Sequence, residues 1–245
     1  MRNFKMILEY DGAAYCGWQR QKNGRSIQQV LEEAVASILG EKVTIIASGR
    51  TDAGVHALNQ VASFHAESLL PVRKIWFGVN SVLPVDIVVK DLQEAPAAFN
   101  ALKDAKKKVY LYRICNQRLR PVLGRQYVWF VRFPLDVERM RQAAAFLLGE
   151  HDFSCFCKTG CDIQDRVRTL TRLEIERGEG AMLEFTVESS GFLRHMVRNM
   201  VGTLVDVGRG KLAPLDMHDI IASRDRTKAG QSAPACGLFL KEVHY

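Results

Sequence analysis

The sequence predicts an α+β protein of two similar lobes, and three observations carry that prediction. Apolar residues alternate between helical and strand periods, a strand, helix, strand, strand, helix, strand order occurs twice, and the apolar pattern lapses between the two occurrences. In the first half, Lys5-Met6-Ile7-Leu8-Glu9-Tyr10 reads as a strand ending at Asp11-Gly12. Ser26 then caps an amphipathic helix in which Ile27, Val30, Leu31, Ala34, Val35 and Leu39 recur at helical spacing until Gly40 stops it. The apolar run 43–46 and the alternating run 61–64 read as two strands around a glycine-bearing loop. Pro71 opens a second helix through Ile75, Trp76 and Val79, and 86–90 returns as a strand.

The second half follows the same order without evident residue identity. Residues 109–114 form a strand, 137–148 a helix ending near Gly149, and 170–176 a strand. The run 181–187 pairs with that last strand across the turn Arg177-Gly178-Glu179-Gly180. Residues 192–207 form a helix with Gly208 at its end, and 237–243 the closing strand. The boundary is expected near Asp104, where Lys103 to Lys108 interrupts the apolar pattern, giving lobes 1–103 and 104–245 packed around a shared cleft.

The chain has 245 residues, 47% of them hydrophobic and 25% charged, which excludes disorder as the default. Lys and Arg number 34 against 27 Asp and Glu, a formal charge of +7 that suits a polyanionic partner. No run approaches the ~20 apolar residues of a membrane span, and Met1-Arg2-Asn3-Phe4-Lys5-Met6 leads into a strand with no signal-peptide core, so a cytoplasmic protein is expected. The six cysteines then read as free thiols. Cys155, Cys157 and Cys161 are clustered but lack a paired knuckle and an obvious fourth ligand, and no metal is expected. No phosphate-binding P-loop, dinucleotide fingerprint or nucleophile elbow is present, so no nucleotide cofactor is indicated.

The most informative segment is 47–64, which centres on Asp52 among Gly49, Arg50, Thr51, Gly54 and His56. A carboxylate on a loop between two strands is both exposed and held still, which makes Asp52 the first candidate for chemistry. Lys103, Lys106, Lys107, Lys108, Arg113, Arg118 and Arg120 surround Tyr110 and Tyr112, which share one face of a strand. This run reads either as an RNA surface of cations and stacking rings or as a solvated linker before an edge strand. On the largely apolar helix 192–207, Phe192, Met196, Met200 and Leu204 follow at i+4 steps, and Arg198 sits among them. An arginine there needs an anion, such as Asp52, or else reaches solvent. His195 reads as structural, His56 and His151 lack metal-ligand spacing, His151-Asp152 is open to reading as the start of the loop after a helix, and the glycine-rich segment with Tyr15, Trp18, Gln19 and Gln21 reads as either a mobile gripping loop or a plain connection.

Together these residues resemble the TruA family of tRNA pseudouridine synthases. The match to Gly49-Arg50-Thr51-Asp52-Ala53-Gly54-Val55-His56 is nearly complete. Further matches are Tyr10-Asp11-Gly12, Tyr15-Cys16-Gly17-Trp18-Gln19, Tyr110-Leu111-Tyr112-Arg113-Ile114, His151-Asp152-Phe153-Ser154, Val201-Gly202-Thr203 and Ala233-Pro234 with Gly237-Leu238. The resemblance implies two ferredoxin-like-derived lobes in one extended, mainly antiparallel sheet, with a basic cleft, a homodimer and no cofactor. It implies isomerisation of uridine to pseudouridine in the tRNA anticodon stem-loop at positions 38 to 40, on a base taken out of its stack. It makes Asp52 the essential carboxylate, Arg198 its partner, Tyr110 the stacking ring, Arg50 the side chain that fills the vacated gap, and Leu238 an apolar wall.

The chain departs from the family pattern at Phe99-Asn100-Ala101-Leu102, where an arginine is missing, at Lys108, where arginine is frequent, and at the cysteines around Ser154. These departures touch RNA contacts more than the reaction. The alternatives are a synthase acting at another tRNA position, a non-catalytic tRNA-binding or tRNA-folding protein, and a hydrolase or transferase with Asp52 as nucleophile. The last lacks a second acid/base carboxylate.

Overall fold

The computed structural model describes residues 1–160 and 163–245, and among them are ten strands and five α-helices. They fall into two compact units, Met1–Lys106 with Leu240–Tyr245, and Lys107–Phe239.

In the first unit, β1 (Arg2–Tyr10) lies antiparallel between β3 (His56–Ala66) and β4 (Ile87–Ala95). Phe4 stands opposite Phe64 in register, and their rings stack at 5.0 Å. The helix α1 (Ile27–Leu39) is started by Ser26, whose hydroxyl accepts from Gln29 N at 3.3 Å, and stopped by Gly40 at φ +73°. The helix α2 (Val72–Val82) follows Pro71 and is hooked to β4: Trp76 Nε1 and Asn80 Nδ2 both donate to Val89 O, at 2.7 and 2.9 Å.

The expected strand 43–46 shrinks to β2, Ile46–Ala47, paired with Ser63 and Ala62. The cause is local: Ile45 N donates to Glu32 Oε1 at 3.0 Å and Ile45 O accepts from Gln28 Nε2 at 3.0 Å. Side chains of α1 therefore satisfy the backbone groups that a ladder would use.

In the second unit, β5 (Lys107–Asn116), β9 (Met182–Ser189), β8 (Val167–Arg177) and β7 (Gly149–Asp152) are successive antiparallel neighbours, and β6 (Trp129–Val131) joins β5 in parallel. The helix α3 is Val137–Ala145, three residues shorter than expected, because Gly149 opens β7 opposite Leu170. The helix α4 is Met196–Gly208, four residues later than the apolar i+4 series suggests. His195 stands before it in the left-handed region at φ +64°, and Phe192 lies outside the helix with its ring edge-on to Tyr110 at 4.9 Å. Gly208 is inside α4 rather than after it: a Cβ there would lie 2.6 Å from Met140 Sδ, so the glycine lets α4 close on α3. The helix α5 (Asp216–Ser223) has no counterpart in the expected order, and β10 (Leu238–His244) closes the chain.

Candidate active site

Asp52 sits on the connection between β2 and β3, residues 48–55, in the first unit. The backbone of this connection is bonded along its length. Ser48 N donates to Val61 O at 2.8 Å, Trp18 N to Thr51 O at 3.0 Å, and Val55 N to Asp52 O at 3.1 Å. Beneath it Tyr10, Ser48, Thr51 and Gln60 are all buried and bonded together. The Tyr10 hydroxyl is 2.9 Å from Thr51 Oγ1, Ser48 Oγ donates to Gln60 Oε1 at 2.6 Å, and Gln60 Nε2 donates to Gly49 O at 3.0 Å. Burial pushes the Tyr10 pKa up to about 12 against the opposing bonds to Thr51 and Gln60, so the group stays protonated.

Two glycines from the 11–18 segment lie directly against the same connection. A Cβ on Gly12 would lie 2.0 Å from Val55 O, and one on Gly17, at φ +99°, 2.7 Å from Thr51 O. His56 Nδ1 lies 3.1 Å from Gly12 N and 2.9 Å from Asp11 Oδ1, which ties the first residue of β3 to the same segment. Tyr15 and Trp18, read from sequence as part of either a mobile gripping loop or a plain connection, are core residues at 5% and 2% exposure. The loop's support is therefore the 11–18 segment itself. On this mounting Asp52 is half-buried and Arg50 exposed.

Tyr110, Arg198 and Leu238 belong to the second unit. Tyr110 and Leu111 are both buried, so β5 is covered on both faces here and is not the solvated edge strand that was one reading of the sequence. Arg198, half-buried, does not run out to solvent: its Nε donates to Ala233 O at 2.7 Å, while Ala233 N donates to Arg198 O at 3.0 Å. This two-bond clamp holds the 229–237 segment on α4, and Gly202 makes it possible, since a Cβ there would lie 1.7 Å from Gln231 O. Thr203 adds a third tie, with Gly230 N donating to its Oγ1 at 2.9 Å. The segment then delivers the buried Leu238 to the start of β10. Tyr112, buried, donates to Pro234 O at 2.8 Å; burial raises its pKa far above the ordinary value, Cys236 adds to the rise and Arg198 opposes it.

Sequence reasoning missed the supports: the Tyr10, Ser48, Thr51 and Gln60 network, and Gly202 as a contact glycine. The signal available was only that Tyr10, Thr51 and Gly202 fall in the motifs quoted above, and Ser48 and Gln60 within segment 47–64. Among the described residues no group of three or more His, Cys, Asp or Glu is placed to hold a metal ion. Cys155 and Cys157 are buried free thiols, burial pushes the Cys155 thiol up to about 12, and Cys161 lies outside the described residues. His151 Nε2 is 2.8 Å from Leu148 O and its ring meets Phe153 edge-on, a structural role.

The sequence family described as tRNA pseudouridine synthase matches residues 6–102 and 143–245. The chain belongs to this family. The tRNA pseudouridine synthase A of Myxococcus xanthus is 46% identical to this synthase over 245 residues, 100% of this chain and 92% of that one. The enzyme of the same description from Thermoanaerobacter sp. is 44% identical over 245 residues with 100% of both chains covered. That of Geotalea uraniireducens is 46% identical over 246 residues, again with 100% of both covered. Among solved structures, a chain from an H/ACA RNP bound to a substrate RNA containing 2'-deoxyuridine aligns over 83% of this synthase and 44% of its own length, at 14% identity and a TM-score of 0.38. The family activity is isomerisation of uridine to pseudouridine in tRNA. No helix among the described residues is long and apolar enough to cross a membrane.

Proposed function

We propose that this synthase acts on the tRNA anticodon stem-loop at positions 38 to 40, as a cytoplasmic homodimer without a cofactor, and that Asp52 is its catalytic carboxylate. The observation that carries the reading is the mounting of Asp52: a half-buried carboxylate on a loop whose neighbours are buried, bonded side chains and backbone-contacting glycines. Catalysis of this kind needs a group held to within a fraction of an ångström of its target. The reaction breaks N1–C1′ of the target uridine, turns the detached uracil and joins C5 to C1′. The proton on C5 is released and N1 is protonated, so no electron donor or acceptor is consumed. Asp52 either attacks C1′ or removes the proton from C2′, and both routes suit a carboxylate.

The other residues take supporting roles in this reading. Arg198, its guanidinium oriented through Nε by Ala233 O, is the cation paired with Asp52. Tyr110, braced by Phe192, stacks on the flipped base, Leu238 forms an apolar wall, and the exposed Arg50 fills the gap the base leaves. The test is to map pseudouridine in tRNA after incubation with the protein and with Asp52→Asn. Pseudouridine at 38 to 40 with wild type and none with the variant is expected, while tRNA binding changes little. Product confined to other positions overturns the substrate assignment, and turnover by Asp52→Asn removes the carboxylate from the mechanism. A solution mass of twice 27.6 kDa is expected for the dimer.

A further inference from the structure

In the second unit, Lys108 and Arg168 are two cations that, among the described residues, share a single carboxylate 3.9 Å from the second of them. Lys108, on β5, stands opposite Ser189 of β9, which in turn stands opposite Leu170 of β8. Because side chains alternate along a strand, Lys108, Tyr110 and Arg168 share one face of this sheet. The Arg168 side chain is only 19% exposed and packs on Gly191, where a Cβ would lie 3.3 Å from its Nε. Its Nη1 donates to Val167 O and, at 3.3 Å, to Asp165 O. The carboxylate of Asp165 lies 3.9 Å from the same Nη1 and is 81% exposed.

Lys108 is half-buried and, among the described residues, its ammonium has neither an ion pair nor a hydrogen bond. Burial first, and the Arg168 charge second, pull its pKa below the ordinary lysine value. The next residue behaves differently. Lys107, on the opposite face, meets Glu188 at 3.0 Å, and strand alternation keeps that carboxylate away from Lys108. Holding two like charges together in a poorly solvated corner is unfavourable unless an anion joins them. The corner lies two residues along β5 from Tyr110, about 7 Å by strand rise. The substrate of this family is a polyanion, and a guanidinium beside an ammonium is a common phosphate cradle.

We infer that Lys108 and Arg168 together hold one backbone phosphate of the tRNA strand next to the nucleotide stacked on Tyr110. This rests on the reading of Tyr110 given above.

The test is tRNA binding by the full-length protein across a salt series, with Lys108→Met and Arg168→Met, alone and together. Methionine keeps the aliphatic stem and removes the charge. The double variant is expected to reduce the slope of log K against log salt by about 0.7 to 0.9, the value of one phosphate, and to weaken binding about tenfold at moderate salt. Lys108→Arg keeps the slope. The melting temperature of Lys108→Met stays level or rises, because an uncompensated charge has been removed. An unchanged slope in the double variant, a melting temperature that falls together with affinity, or an equal loss in Lys107→Met each overturns the assignment. Failure here is separable from failure of the proposed function. Wild type that forms pseudouridine at 38 to 40 alongside a double variant that binds normally removes only the phosphate site. Wild type that modifies no tRNA while the slope still drops removes only the function.

Discussion

Around Asp52, the buried polar side chains of Tyr10, Ser48, Thr51 and Gln60 bond to one another or to the loop, whereas Lys108 and Arg168 are two cations with one carboxylate 3.9 Å from the second. Both regions are polar and partly buried, so composition does not separate them. Satisfaction does. A fully bonded network fixes geometry, which suits a group that must not move, while unmet charge stores affinity for a ligand that brings the missing partner. The same contrast explains why one region is dense in glycine contacts. The loop is pressed by backbone at Gly12 and Gly17, and backbone does not give way as a lysine stem does.

The largest expected effect comes from disturbing the satisfied region by volume alone. Gly12→Ala places a Cβ 2.0 Å from Val55 O and displaces the loop. Its kcat/KM should fall about 100-fold, the scale of an ångström misplacement, with about 1 to 3 kcal/mol lost in denaturant titration. Gly40→Ala has nothing within 4 Å and only its φ of +73° against it, so it should cost stability and leave turnover intact. Equal activity losses in the two would mean that the Gly12 contact does not govern the loop.

Tyr110→Ala should cost about 10- to 100-fold in single-turnover rate, the range of one stacking contact, and Tyr110→Phe much less. Matching losses would assign the work to the hydroxyl. Gln60→Leu converts the loop into an unsatisfied region like the Lys108 corner, stranding Ser48 Oγ and Gly49 O. The expected loss is about 1 to 3 kcal/mol, read as a lower urea midpoint at unchanged slope.

The smallest effect is in the pH dependence. An unfolded tyrosine titrates near 10 and buried Tyr10 near 12, so above pH 10 the unfolded chain releases a proton that the folded chain keeps. The stability contributed by neutral Tyr10 is complete below pH 10 and is lost as pH rises towards 12. Tyr10→Phe should flatten that part of the curve, measured by unfolding at fixed urea.

The elements most legible in the sequence were those whose signals are local. Ser26 and Gly40 bound α1 because caps act within one turn of the helix they serve. The run 43–46 was misread because α1 side chains take the Ile45 backbone bonds, and 192–195 because their apolar residues pack on Tyr110 while matching helical spacing. The helix α5 and the strand β7 are short elements in segments whose periodicity is too brief to separate from loop.

The sequence by itself determined the α+β class, the order of the main elements and the motif that carries Asp52, because periodicity, caps and turn residues act over a few neighbours. Tertiary structure alone decided which polar groups are satisfied. Tyr10 and Thr51 are 41 positions apart, and Arg198 and Ala233 are 35 apart. Whether such a group meets a partner depends on strand register and on where a glycine lets two backbones touch, and neither is a property of any short stretch of chain.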